Sequence, residues 1–361
     1  MLFRTSKDSI MSAFSFFVKL PFSKSILHKM SELARGKCLA FFTLHRVLED
    51  TQEDLAHPHF LNRTAITLKQ AQTFLTRMHR RLPFISLENS LDYLMGRRSL
   101  NQSSAVLLIE VPYIKTIRLL KPLLEEQKIP VTLVLATESL NDGRMPWMDE
   151  IIYRIGNAEQ SELTLSFIDR SLSLNNVRER MAAANLLVEH ISHAKKETLK
   201  TRLKQLREAV PEVAVHPASE RICTVEQIEK LSLNPLFSFA SGGKYRLPFY
   251  DISLEDAQTE IVGGMTELSG MVHRSLVPVY FYPLGSDKRR KQDIVRLMMD
   301  SGLKAAVSRD IGVCRPGDNM FRLHSLPLAQ SSDSFTQFEM QGLSDAIDDF
   351  LLVTMAKDRE L

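Results

Sequence analysis

The stretch Ser104 to Thr137 constrains the fold of this chain more than any other. Ala105 to Ile109 is a short apolar run that ends at Glu110, with Pro112 close behind, and this predicts a buried strand. Lys115 to Glu126 follows with Ile117, Leu120, Leu123 and Leu124 near helical spacing. Pro122 inside that pattern predicts a helix that is kinked or starts late. Val131 to Ala136 is a second apolar run, set off by Ile129 and Pro130. Strand, helix and strand in so short a span make a βαβ unit, which belongs to a parallel sheet. Ligands in such sheets sit at the carboxyl ends of the strands. Glu110 stands at one of those ends.

The rest of the chain repeats the alternation. Apolar strand patterns begin at Cys38, Ala105, Val131, Leu236, Val279, Ala305 and Phe321, with helical patterns between them. This predicts an α/β fold built on a parallel sheet, open or closed. Leu68 to Arg80 reads as an amphipathic helix, and Ser253 with Asp256 three residues on opens another with a capping pattern. Residues 157–210 differ in character. Two helical patterns there, Asn176 to Ser192 and Ala194 to Val210, read as a helical insertion rather than a separate domain. Leu199, Leu203, Leu206 and Val210 form its inward stripe, while Lys195, Lys196, Lys200, Arg202, Lys204 and Arg207 read as a solvated face. The expected organisation is a basic helical segment over residues 1–36, the main domain over 37–342, and an acidic helix over 343–361.

Charge and cysteine content narrow the function. Hydrophobic residues at 44% and charged residues at 25% are ordinary for a soluble globular protein, and a net charge of +3 gives no reason to expect a nucleic-acid partner. The positive charge concentrates in residues 1–37, where Met11 to Phe22 is apolar but interrupted by Lys19. That run is too short to span a bilayer. It reads as a packing helix, with a secretory signal, for which no small-residue cleavage site follows, and peripheral contact to a membrane surface as the alternatives. Cys38, Cys223 and Cys314 make no disulfide framework, and the apolar contexts of Cys38 and Cys223 suit buried free thiols in a reducing, cytoplasmic compartment. No dinucleotide fingerprint, phosphate-binding loop, paired C-x-x-C or H-E-x-x-H is present.

The Glu110 region resembles the signature of the polysaccharide deacetylases (carbohydrate esterase family four, the NodB-homology domain). The family writes the strand as T-F-D-D-G-Y, then a proline nine residues after the tyrosine, then I-P-A-T-F-F. Here Tyr113, Pro122 and Ile129-Pro130-Val131-Thr132-Leu133-Val134 keep that frame, whereas the D-D-G centre reads Glu110-Val111-Pro112. Thr43-Leu44-His45-Arg46-Val47 resembles the family's opening Y-H-R-V, and Trp147-Met148-Asp149 its W-x-D. Phe281-Tyr282-Pro283-Leu284-Gly285 keeps its aromatic-Y-P-x-G, but Leu323-His324-Ser325-Leu326-Pro327 lacks the arginine of its L-P-R-I-P. The resemblance implies a distorted seven-stranded (β/α) barrel and a carbohydrate or polysaccharide partner.

Members of the family remove acetyl groups from sugar polymers with a divalent metal, usually zinc, that activates water. The resemblance puts the catalytic base at Glu110. It puts the three metal ligands at Val111, Gly242 and Arg246, the last two by placing S-H-x-x-x-H on Ser241 to Arg246. Valine and glycine offer no donor atom, and arginine repels a cation. The expectation is therefore a protein without the family's metal cofactor. An Arg246–Glu110 ion pair would put a fixed cation in its place, and Tyr113, Ser241, Lys244, Tyr282, Pro283, His45 and His324 would line the pocket. A structural role for that pair is the alternative. Three functions stay open: a metal-free pseudoenzyme that handles a cell-surface polysaccharide such as an exopolysaccharide, a hydrolase with rearranged ligands, and a non-enzymatic protein that docks a partner or a membrane.

Overall fold

The structure, a computed structural model, describes residues 36–211, 213, 220–250, 252–272, 276–284 and 292–328. The expected helices over 1–36 and 343–361 lie outside these residues, apart from Gly36. Seven strands close into an all-parallel barrel: β1 Leu39–Leu44, β2 Ser104–Ile109, β3 Val131–Leu135, β4 Phe237–Ser241, β5 Leu276–Phe281, β6 Ala305–Ile311 and β7 Leu323–Leu328. Each strand pairs with its sequence neighbours, and β7 closes on β1. The pairing is regular between β1 and β2, where Leu39 to Leu44 face Ser104 to Ile109 in unbroken register. It shifts between β4 and β5 and again between β6 and β7, and there the barrel is distorted.

Alternation along the strands sorts the side chains into two layers. Phe41, Val106, Leu108, Val134, Ala240, Val279 and Val307 share one buried cluster with the helix Leu87–Leu94. Phe42, Leu107, Ile109, Leu133 and Phe239 join a second, packed against α2 (Leu68–His79) and α3 (Ile114–Glu126). Helix α3 runs through Pro122 and starts at Ile114, one residue before the sequence pattern placed it. The last strand begins at Leu323 rather than Phe321, because Met320–Arg322 forms a short 3-10 turn.

The insertion packs as one body with the barrel. Helices α5 (Val177–Ser192) and α6 (Lys196–Ala209) bury Leu187, Ile191, Leu199, Leu203 and Leu206 in one cluster with Ile151 and Ile155 of α4 (Trp147–Gly156) and with Tyr280 of β5. Buried Arg154 donates to the carbonyls of Val210 and Val213, which ties the end of the insertion to α4. The three cysteines are buried free thiols.

Candidate functional site at the carboxyl end of the barrel

Glu110 follows Val106 and Leu108 at spacing two, so it inherits their side of β2 just beyond the strand end. Its carboxylate is paired with Arg309 and lies 3.5 Å from Nδ1 of His45. Burial alone would raise its pKa, but Arg309, His45 and Arg246 bring it down to about 2. Arg246 does reach this residue, though through the main chain: Nη1 donates to the Glu110 carbonyl at 2.8 Å. The expected Arg246–Glu110 ion pair is thus corrected. The cation on the carboxylate is Arg309, which was not among the sequence candidates. The signal for it was present, since Ala305, Val307 and Arg309 alternate along β6.

The loop Ser241–Leu247 places Arg246. Gly242 donates to the Leu135 carbonyl, Gly243 to the Ser241 hydroxyl, and Lys244 to the Glu260 carbonyl. Glu260 accepts the main-chain N–H groups of Tyr245 at 2.9 Å and Leu247 at 3.0 Å. It sits in a π-helical turn, Thr259–Gly263, which aims its side chain into the loop. Arg246 adopts a left-handed conformation, φ 57°, which only a well-anchored non-glycine residue sustains. Trp147 Nε1 donates to the Arg246 carbonyl, adding one more anchor.

A second cluster adjoins Glu110 through His45. Nε2 of His45 lies 2.9 Å from Asp149 Oδ1, and Tyr113 donates its hydroxyl to the other Asp149 oxygen. Burial lowers the His45 pKa, and Asp149 and Glu110 more than reverse this, to about 9. Arg46 lies 4.1 Å over the Tyr113 ring and pairs with buried Glu220, which also meets His57. His59, on the one-turn helix α1 (Pro58–Leu61), is fully buried beside this group. Among the described residues, His45, His59 and Asp149 bring ligand atoms within 4.8 Å of one another. His59 was not a sequence candidate, because nothing in its local sequence announces its partners.

Other expected pocket residues do other work. Lys244 pairs with Glu267, and Ser241 closes its own turn. Tyr282 packs against Tyr280 and Phe249 and reaches the Phe321 carbonyl, and Pro283 is buried next to it. His324 is a correction. Cys314, whose Sγ accepts from the His324 N–H, pairs with Leu39 at the start of β1, so His324 lies at the opposite, amino end of the barrel. Nor do the three positions matched to metal ligands fit an ion. Val111 packs in the outer apolar layer, Gly242 has no side chain, and Arg246 is a cation.

No protein-family model and no curated protein matches the chain. Solved structures do. The deacetylase PplD of Streptococcus pyogenes, determined in complex with acetate, is similar over 82% of this chain and 95% of its own at 11% identity, with a TM-score of 0.54. IcaB from Ammonifex degensii is similar over 85% and 98% at 14% identity, with a TM-score of 0.52. The likeness is one of fold, and it agrees with the barrel expected from the motifs.

Proposed function

We propose that this chain is a divergent polysaccharide deacetylase-like protein of carbohydrate metabolism. In this reading it binds or handles a cell-surface polysaccharide from the cytoplasmic side, without the family's metal chemistry. The observation that carries this reading is the pair of guanidiniums on Glu110. Arg309 holds its carboxylate and Arg246 its carbonyl, where the resemblance would have a base beside a metal. A general base works best with a pKa near the working pH. A carboxylate at about 2 that is already paired takes protons from water poorly. The same charges suit recognition, since half-exposed Arg309 can donate to a sugar hydroxyl or an acyl oxygen.

The convergence of His45, His59 and Asp149 favours a second reading, an acyl-glycan hydrolase with rearranged ligands. Docking of a partner or membrane has less support among the described residues, where the exposed large apolar side chains are single residues on different elements, Leu55, Val177, Leu233, Leu254, Met299 and Ile311. One experiment separates the first two. Purified protein is incubated with N-acetylglucosamine oligomers, with and without added zinc or cobalt, while oligomer binding and acetate release are both measured. Binding without acetate, weakened by Arg309→Ala, is the expected result. Acetate release dependent on metal and lost in His59→Ala would replace it with the second reading.

A further inference from the structure

We infer that His45, His59 and Asp149 form a site for one divalent transition-metal ion, on residues other than those the family resemblance assigns. The first observation is their convergence, with all three ligand atoms within 4.8 Å of one another. Two imidazoles and one carboxylate are a set that suits zinc, cobalt or iron(II) and leaves coordination positions open.

The second observation is independent and concerns His59 alone. Its Nδ1 lies 2.9 Å from the Thr64 hydroxyl, and that hydroxyl donates its own hydrogen to the His59 carbonyl at 3.1 Å. The hydroxyl oxygen must then accept, so Nδ1 carries the imidazole proton. Nε2 is left as a bare lone pair. It is fully buried and has no hydrogen-bond partner among the described residues. A buried acceptor left this way has given up its hydration with nothing in exchange. A cation removes that cost.

The surroundings complete the case. Bound imidazoles and carboxylates are held in place by outer partners. Each of these three has one: His59 has Thr64, His45 has Glu110 on Nδ1, and Asp149 has the Tyr113 hydroxyl. When the ion binds, the proton between His45 Nε2 and Asp149 leaves to solvent, and Nδ1 keeps its hydrogen toward Glu110. The nearby Arg46 is neutralised by Glu220. The ligands come from the end of β1, from α1 and from α4, so closing the barrel assembles the site. The inference stands whether or not a glycan is cleaved.

The test is metal binding by the full chain after chelator treatment, by calorimetry with zinc and by the visible spectrum of added cobalt(II). One ion per chain is expected, with His59→Ala weakening binding at least a hundredfold. Thr64→Val leaves the ligands intact and should weaken binding about tenfold by freeing the tautomer. It keeps the inference testable if His59→Ala fails to fold. Cys314→Ser should bind as the parent does. That variant controls for the group Cys314, Asp318 and His324 at the other end of the barrel. No bound ion, binding unchanged in both His59→Ala and Thr64→Val, or loss in Cys314→Ser would overturn the inference.

Discussion

Val134 and the Arg246 guanidinium together decide what position 242 can be. A Cβ on Gly242 would lie 2.9 Å from Val134 Cγ1 and 3.1 Å from Arg246 Nη1, so even alanine must displace one of them. Gly242→Ala should therefore cost about 1–3 kcal/mol in urea unfolding. The loss should shrink only in part in an Arg246→Ala background, where the Arg246 contact is gone and the tighter one with Val134 remains. Val111 makes the complementary point. It is 2% exposed and packs with Ile109 in the outer layer, so Val111→Asp does not rebuild the family's ligand. It buries an unpaired carboxylate, and the variant should lose several kcal/mol of stability and gain no zinc affinity. Sequence alone could say that Val111, Gly242 and Arg246 cannot hold an ion. It could not say what fills the space, because the Arg309 and Glu110 that meet there lie 199 residues apart.

At the scale of the element, the loop Ser241–Leu247 depends on one buried acid. Glu260 is fully buried, and burial lifts its pKa to about 7 against the N–H groups of Tyr245, Leu247 and Arg246 that hold it down. The ordinary value is 4.5. Between these two values the folded chain keeps a proton that the unfolded chain has released. Stability from this group is thus complete below about pH 4.5 and is lost as pH rises toward 7, by on the order of 3 kcal/mol. Glu260→Gln cannot titrate, so its unfolding free energy should vary less with pH across that window. Equal slopes for parent and variant in urea titrations at several pH values would refute this. The loop's strand was legible from Leu236 to Ala240, and so was the capped helix after it, since Ser253 accepts the Asp256 N–H as its spacing predicts. The π-helical turn was not legible. Nothing in the spacing of Thr259 to Gly263 separates it from the α-helix on either side, and only the tertiary demand of the loop selects it.

At the scale of the molecule, the barrel was readable because each strand is a short apolar run and each helix carries its own periodic stripe. Those signals are local. The site is not, since His45 and Asp149 are 104 residues apart and meet only when the sheet closes. The insertion lies between these cases. Its two helices were legible from Leu199, Leu203 and Leu206, but their dependence on the barrel follows from what they bury. Leu203 is 6% exposed in a cluster that runs through α4 to Tyr280 on β5. Trp147, the chain's single tryptophan, belongs to the same cluster at the start of α4. Its fluorescence therefore reports the junction between insertion and barrel, while far-UV circular dichroism reports the whole. A shared core makes the two unfold together, so both probes should give one midpoint in urea. Leu203→Ala leaves a cavity in that core and should lower both midpoints alike, by about 2–4 kcal/mol of stability. If the fluorescence midpoint fell while the dichroism kept a second, unshifted transition, the insertion would be a unit that folds on its own.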